Sequence, residues 1–157
     1  MITFSHDYTG RQVDVLAFDG ASPSGEVLLQ QVMAQPYQGG KVTAGIQKLA
    51  QRFLLCLLTE KGSCPWDVTW GTYFMTEAHL GRFQTPLDVY GAFSQALTEI
   101  QTQLTAVESE TDPVDERFAS AVIDSVAVEA DVSKVYVTLW SRAGRDRAVL
   151  VSIPLTV

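Results

Sequence analysis

Between Gly45 and Phe74 the chain reads GIQKLAQRFLLCLLTEKGSCPWDVTWGTYF, and no other stretch restricts the fold as much. Ile46, Leu49, Ala50, Phe53, Leu54, Leu57 and Leu58 recur at steps of three and four, the period of one helix face. Gln47, Lys48, Gln51 and Arg52 fall off that face. Leu55 and Cys56 widen the apolar arc, which predicts a helix buried on more than one side. Thr43 is placed to cap the start, and Gly62 stands where a left-handed residue closes a helix. The loop that follows is rich in aromatic residues and carries no recognisable catalytic constellation.

The rest of the chain fixes the fold class. Gln12 to Phe18 and Glu26 to Gln35 read as two strands of a hairpin joined by DGASPSG. Pro36-Tyr37-Gln38-Gly39-Gly40 then interrupts the chain. Residues 1–40 are therefore taken as an N-terminal hairpin extension and 41–157 as the main domain. Ser63 to Phe83 is long for a structureless connection. Its Trp66, Trp70, Tyr73, Phe74 and Phe83 carry too much aromatic area to hang in water, so it should pack on the domain or a partner. Thr85-Pro86 opens a second helix, with Thr85 as cap, Pro86 in the first turn and Asp88 on the positive end of the dipole. Tyr90, Phe93, Leu97, Ile100, Leu104 and Val107 form its narrow apolar stripe. Asp112-Pro113 is a natural boundary.

The last third is β. A strand starts near Val122 with Val126 and Val128 on one face. Val135, Val137 and Leu139 alternate with Tyr136, Thr138 and Trp140, which predicts a strand covered on both faces. A turn follows at Ser141–Asp146. Val149, Val151, Ile153 and Leu155 then share one side of a terminal strand, whose edge is either an aggregation hazard or a docking device. The expected architecture is α+β: two main helices packed on a C-terminal antiparallel sheet, with an N-terminal β-hairpin.

Composition narrows the function. The 157 residues suit one domain with a real core. A formal charge of −7 repels a phosphate backbone, so no direct nucleic-acid partner is expected. The one compact basic cluster, Arg142, Arg145 and Arg147, reads as a hairpin tip that is either solvated or in contact with protein. No apolar run reaches the ~20 residues of a membrane helix, and MITFSHDYTGRQVD lacks the pattern of a secretory signal, so no membrane partner is expected. Cys56 reads as a small core residue. Its spacing from Cys64 leaves a bridge open, which a reducing cytoplasm would disfavour. His6 and His79 suggest neither a metal site nor a triad, and the glycines show no phosphate or dinucleotide loop, so no metal or cofactor is expected.

The helix QKLAQRFLLCLLTEKGS, the loop CPWDVTWGTYF near a glycine, the second helix and the C-terminal strands together resemble a known family. It is the small wedge subunit of contractile-tail baseplates, often labelled lysozyme-like in phages, with a sheath-initiating counterpart in type VI secretion machines. The resemblance runs from Gly45 to Val157. The nearest match to the family's Glu-Pro-Arg signature is Asp115-Glu116-Arg117, in which only the arginine is kept. The resemblance implies a structural virion protein rather than an enzyme, assembled in the host cytoplasm and located in the tail baseplate. It would share C-terminal strands, 135–140 and 148–155, with the tail sheath protein. Its first helix and aromatic loop, with Trp66 and Trp70, would face other baseplate wedge and hub proteins. In the family the arginine matching Arg117 helps hold the subunit on the wedge. From the residues alone, Arg117 equally fits an intradomain salt bridge with Asp115 or Glu116. Two alternatives remain: a baseplate or adaptor subunit of a non-contractile tail, and a cell-wall glycoside hydrolase. The hydrolase would need a carboxyl pair, for which Glu60 and Asp67 are the best candidates. The plainer reading places Glu60 on an exposed last turn and Asp67 as the cap of a turn.

Overall fold

The computed structural model of the chain describes residues 14–15, 18–19, 30–31 and 42–155. Four short strands come first: β1 (Asp14–Val15), β2 (Phe18–Asp19), β3 (Gln30–Gln31) and β4 (Val42–Thr43). β1 pairs with β4 and β2 with β3, both antiparallel. The predicted N-terminal hairpin falls for the most part outside the described residues.

The first helix, α1, spans Ile46–Leu58. Leu49, Ala50, Phe53, Leu54, Cys56 and Leu57 are all buried, while Leu55 is 39% exposed. The wide apolar arc does enter the core, but the polar face does not all face water: Lys48 and Gln51 are also buried. Thr43 does not cap the helix; it belongs to β4. The N-cap is Gly45 at φ +64°, and its N–H donates to Glu116 Oε1 at 2.9 Å. Gly62 does not close the helix either. The helix turns extended at Thr59, and Gly62 (φ +87°) serves the next turn, where the Ser63 N–H bonds the Glu60 carbonyl.

The segment after α1 is closed into a loop by backbone pairing. Thr72 N–H donates to Thr59 O and Lys61 N–H to Thr72 O. This brings Gly71 so close that a Cβ there would lie 2.4 Å from the Thr59 carbonyl oxygen, and its φ of +97° independently favours glycine. Gln103 reaches across from the next long helix, accepting from the Gly71 N–H and donating to its carbonyl, both at 2.8 Å. A short helix, α2 (Phe74–His79), follows, which the sequence pattern does not announce. It delivers Phe74 and Ala78 to the core.

The third helix, α3, spans Pro86–Val107 and starts as its sequence predicts. Thr85 and Asp88 form a reciprocal capping box with Pro86 in the first turn. The buried stripe is Val89, Phe93, Ala96, Ile100 and Leu104; Tyr90 and Val107 are exposed. The predicted stripe therefore holds through its middle and is displaced at its ends. A 3-10 turn at Val114–Glu116 leads into the sheet.

The sheet is antiparallel, ordered β5 (Phe118–Val128), β6 (Val132–Ser141), β7 (Asp146–Pro154). β5 begins four residues earlier than expected, at a phenylalanine whose ring stacks on Phe53 at 6.0 Å between centroids. Val135, Val137 and Leu139 of β6 are buried, and so are Val149, Val151 and Ile153 of β7. The other face of β6, with Tyr136, Thr138 and Trp140, is only half-buried, so that strand is not covered on both faces. One apolar core joins all three helices to the inner face of the sheet. Phe53, Phe74, Phe83, Phe93 and Phe118 form a chain of ring contacts through it. Burying each such ring contributes about 1.5–3 kcal/mol. The fold is α+β.

Candidate assembly surfaces

Asp115, Glu116 and Arg117 lie where the 3-10 turn passes the start of α1. Glu116 is 2% exposed, and its two oxygens take different donors: Oε1 the Gly45 N–H, Oε2 the Lys48 Nζ at 2.9 Å. Both members of this ion pair are out of water. Arg117 is committed within the chain. Its guanidinium donates to the Asp112 carbonyl through Nε at 3.0 Å and Nη2 at 2.7 Å, and also to the Glu110 carbonyl. It ties the loop that follows α3 to the start of β5. The acceptors are the protein's own backbone carbonyls rather than the carboxylates of Asp115 or Glu116. Asp115 is buried, with Arg145 Nη1 3.8 Å from its carboxylate.

The sheet presents two edges. β6 is central and bonded on both sides, which corrects the expectation that 135–140 is open to a foreign strand. β5 has irregular register between Phe118 and Ser120 and again between Ile123 and Ser125. Bulges of this kind blunt an edge. β7 pairs with β6 in unbroken register from Trp140↔Asp146 to Val132↔Pro154. Among the described residues β7 has no second neighbour. Val149, Val151 and Ile153 point into the protein's own core, so they position the strand and cannot themselves touch a partner. Leu155 is half-buried and lines a groove of about 380 Å³ between the α2–α3 connection and the β5–β6 turn, together with Phe83, Val128 and Glu129.

The aromatic loop divides. Phe74 and Phe83 are core, Trp70 packs against the core from outside, and Trp66 is 87% exposed. Asp67 shapes the tip: Oδ1 accepts from the Thr69 N–H and Oγ1, and these bonds hold its carboxyl below the usual carboxylate range. That direction is opposite to what a general acid requires. Glu60 Oε1 lies 2.6 Å from His79 Nδ1, a contact joining the end of α1 to the end of α2. Glu77 pairs with Arg82. Both cysteines are free and buried. Burial pushes the Cys56 thiol up to about 11, and its Sγ donates to Gln103 Oε1 at 3.3 Å.

Among the described residues, no helix is long and apolar enough to cross a membrane, and no group of three or more His, Cys, Asp or Glu is placed to hold a metal ion. Lys48 and Gln103 are structural residues that the sequence pattern does not single out. A buried lysine on a helix looks like any surface lysine until its partner, 68 residues away, is known. No family model, curated protein or solved structure matches the chain.

Proposed function

We propose that this chain is a structural subunit of a contractile phage tail. It is a baseplate wedge protein that contacts other wedge and hub proteins and starts the tail sheath by sharing a strand with the sheath protein. The observation that carries this reading is β7: a nine-residue terminal strand in regular register, anchored through its side chains and with one backbone edge unpartnered among the described residues. An incoming extended segment would gain main-chain hydrogen bonds there without demanding a particular sequence. β5, with its two irregularities, is the less suitable edge. The resemblance of residues 45–157 to the wedge family supplies the identity of the partner. Exposed Trp66 suits a contact with wedge neighbours, since tryptophan is enriched at interface hot spots. Arg117 acts indirectly in this reading, by fixing the 108–112 loop.

Because Val149, Val151 and Ile153 are core, deleting β7 would unfold the domain and test nothing about assembly. Amide hydrogen exchange on the intact chain, alone and after addition of the sheath protein of the same particle, is the better test. Alternate β7 amides should exchange fast in the free chain and become protected in the complex. Unchanged exchange in β7, or protection confined to β5, would overturn the strand-sharing role.

A further inference from the structure

Strand β7 ends in a proline, and the place of Pro154 in the ladder decides how much of the strand's outer edge can be shared. In an antiparallel pair, residues that exchange hydrogen bonds with the neighbour alternate with residues whose N–H and C=O point away from it. Two bonds at the ends of the β6–β7 ladder fix the phase. The Ser141 N–H donates to the Arg145 carbonyl at 2.8 Å, and the Leu155 N–H to the Asp131 carbonyl at 2.7 Å. Register between them is unbroken, so Arg147, Val149, Val151 and Ile153 bond to β6. The opposite side of β6 agrees: the Val132 carbonyl accepts from the Glu129 N–H, and the Arg142 N–H donates to the Arg117 carbonyl. Asp146, Ala148, Leu150 and Ser152 therefore turn their N–H and C=O to the edge that has no second neighbour among the described residues. Pro154 shares their phase. It lies opposite Val132, where β6 makes no use of the missing N–H, so the loss falls on the outer edge alone.

We infer that Pro154 is an end stop: β7 accepts an extended partner segment along Asp146–Ser152 and no further toward its C-terminal end. The end stop rests on the reading of β7 as the strand shared with the sheath protein, and it fixes where on β7 that protein's segment lies. Asp146, Ala148, Leu150 and Ser152 each supply one donor and one acceptor, so the segment needs about seven extended residues. Those of its residues that face β7 cannot be proline, because each must return an N–H. At Pro154 an incoming carbonyl would give up water and meet no donor, which costs free energy. Proline on an edge is one of the devices by which sheets limit further pairing.

The test is residue-resolved amide exchange and binding by the full chain, with purified tail sheath protein as the probe. In the free chain the amides of Ala148, Leu150 and Ser152 should exchange fast, and those of Val149, Val151 and Ile153 slowly. Sheath protein should protect the first three. Ser152→Pro removes an outward N–H and leaves the bonds to β6 in place. It should weaken binding about threefold to tenfold, the worth of one main-chain hydrogen bond. Pro154→Ala restores the missing donor and disturbs the fold least. Its binding should tighten by up to about threefold, and the new amide at 154 should become protected in the complex. Circular dichroism checks that each variant is folded. An amide at 154 that stays unprotected in the Pro154→Ala complex would overturn the end stop and leave strand sharing intact. Fast exchange of Val149 and Val151 in the free chain would overturn the phase on which the end stop depends. Slow exchange of Ala148, Leu150 and Ser152 without sheath protein would mean that another segment or a second copy holds the edge, and would overturn both readings. So would failure of the folded chain to bind sheath protein.

Discussion

Lys48 and Glu116, 68 residues apart in sequence, meet in a 2.9 Å ion pair from which water is excluded. The same glutamate takes the N–H of Gly45 and so performs the work of an N-cap from outside the helix. The positive end of the α1 dipole favours that carboxylate. One carboxylate thus joins the start of α1, the 3-10 turn and the entry to the sheet.

Removing either member should be costly. Glu116→Ala or Lys48→Met alone is expected to lose about 3–5 kcal/mol, since each breaks an ion pair that is out of water. The double replacement with apolar residues should lose less than the two single losses added together. Urea unfolding of the four proteins measures the coupling, and strict additivity would show that the pair is not acting as a unit.

Two glycines should respond in opposite directions. Gly71→Ala forces a Cβ against the Thr59 carbonyl at positive φ and is expected to destabilise by at least about 1–3 kcal/mol. Gly91 is an interior helical position where an added Cβ would meet nothing within 4 Å, so Gly91→Ala should stabilise by about 0.5–1 kcal/mol. Thermal midpoints of the two variants would check both signs.

The start of α3 should be acid-sensitive. The bonds from Thr85 hold the Asp88 carboxyl below its ordinary value. A depressed folded-state pKa contributes stability that is present above the unfolded value and is lost as pH falls through the folded one. Stability should therefore decline below about pH 4, and Asp88→Asn should flatten that part of the decline. Thr85→Ala is expected to cost about 0.5–2 kcal/mol at neutral pH. Denaturant midpoints across the acid range measure these effects.

Cys56 should be a poor nucleophile. Its thiol, raised from 9.0 to about 11 by burial, stays protonated through neutral pH, and the thiolate is the reactive form. The sign for stability is the reverse of the carboxylate case. The contribution is complete below the unfolded value and is lost as pH rises from about 9 to about 11. Alkylation of the native chain should be far slower than of the unfolded chain, and Cys56→Ala should reduce the loss of stability over that alkaline interval.

Much of this fold is legible in the sequence because it is local or periodic. The stripe of α1, the Thr85–Asp88 box and the alternation of Val135, Val137 and Leu139 each declare themselves within a few residues. What is not legible depends on residues distant in sequence. Thr43 looks like a cap because the true acceptor, Glu116, lies beyond two further helices. Helix α2 is hidden because six residues between turns are too few to show a period. The candidate surfaces divide the same way. Alternation identifies β7 and its apolar face, but not that this face points inward or that β6 lies between β5 and β7. Asp115-Glu116-Arg117 is visible as a motif, whereas its bonds to Lys48, Gly45 and the 108–112 loop are not.

The most direct test of the proposed function is cryo-electron microscopy of intact tailed particles in which this chain is sought. Density for residues 42–155 at the baseplate periphery, with an added strand hydrogen-bonded along β7 and continuous with a sheath subunit, is the expected result. A β7 edge open to solvent in the assembled particle, or a particle with a tail but no sheath, would contradict the sheath-initiating role.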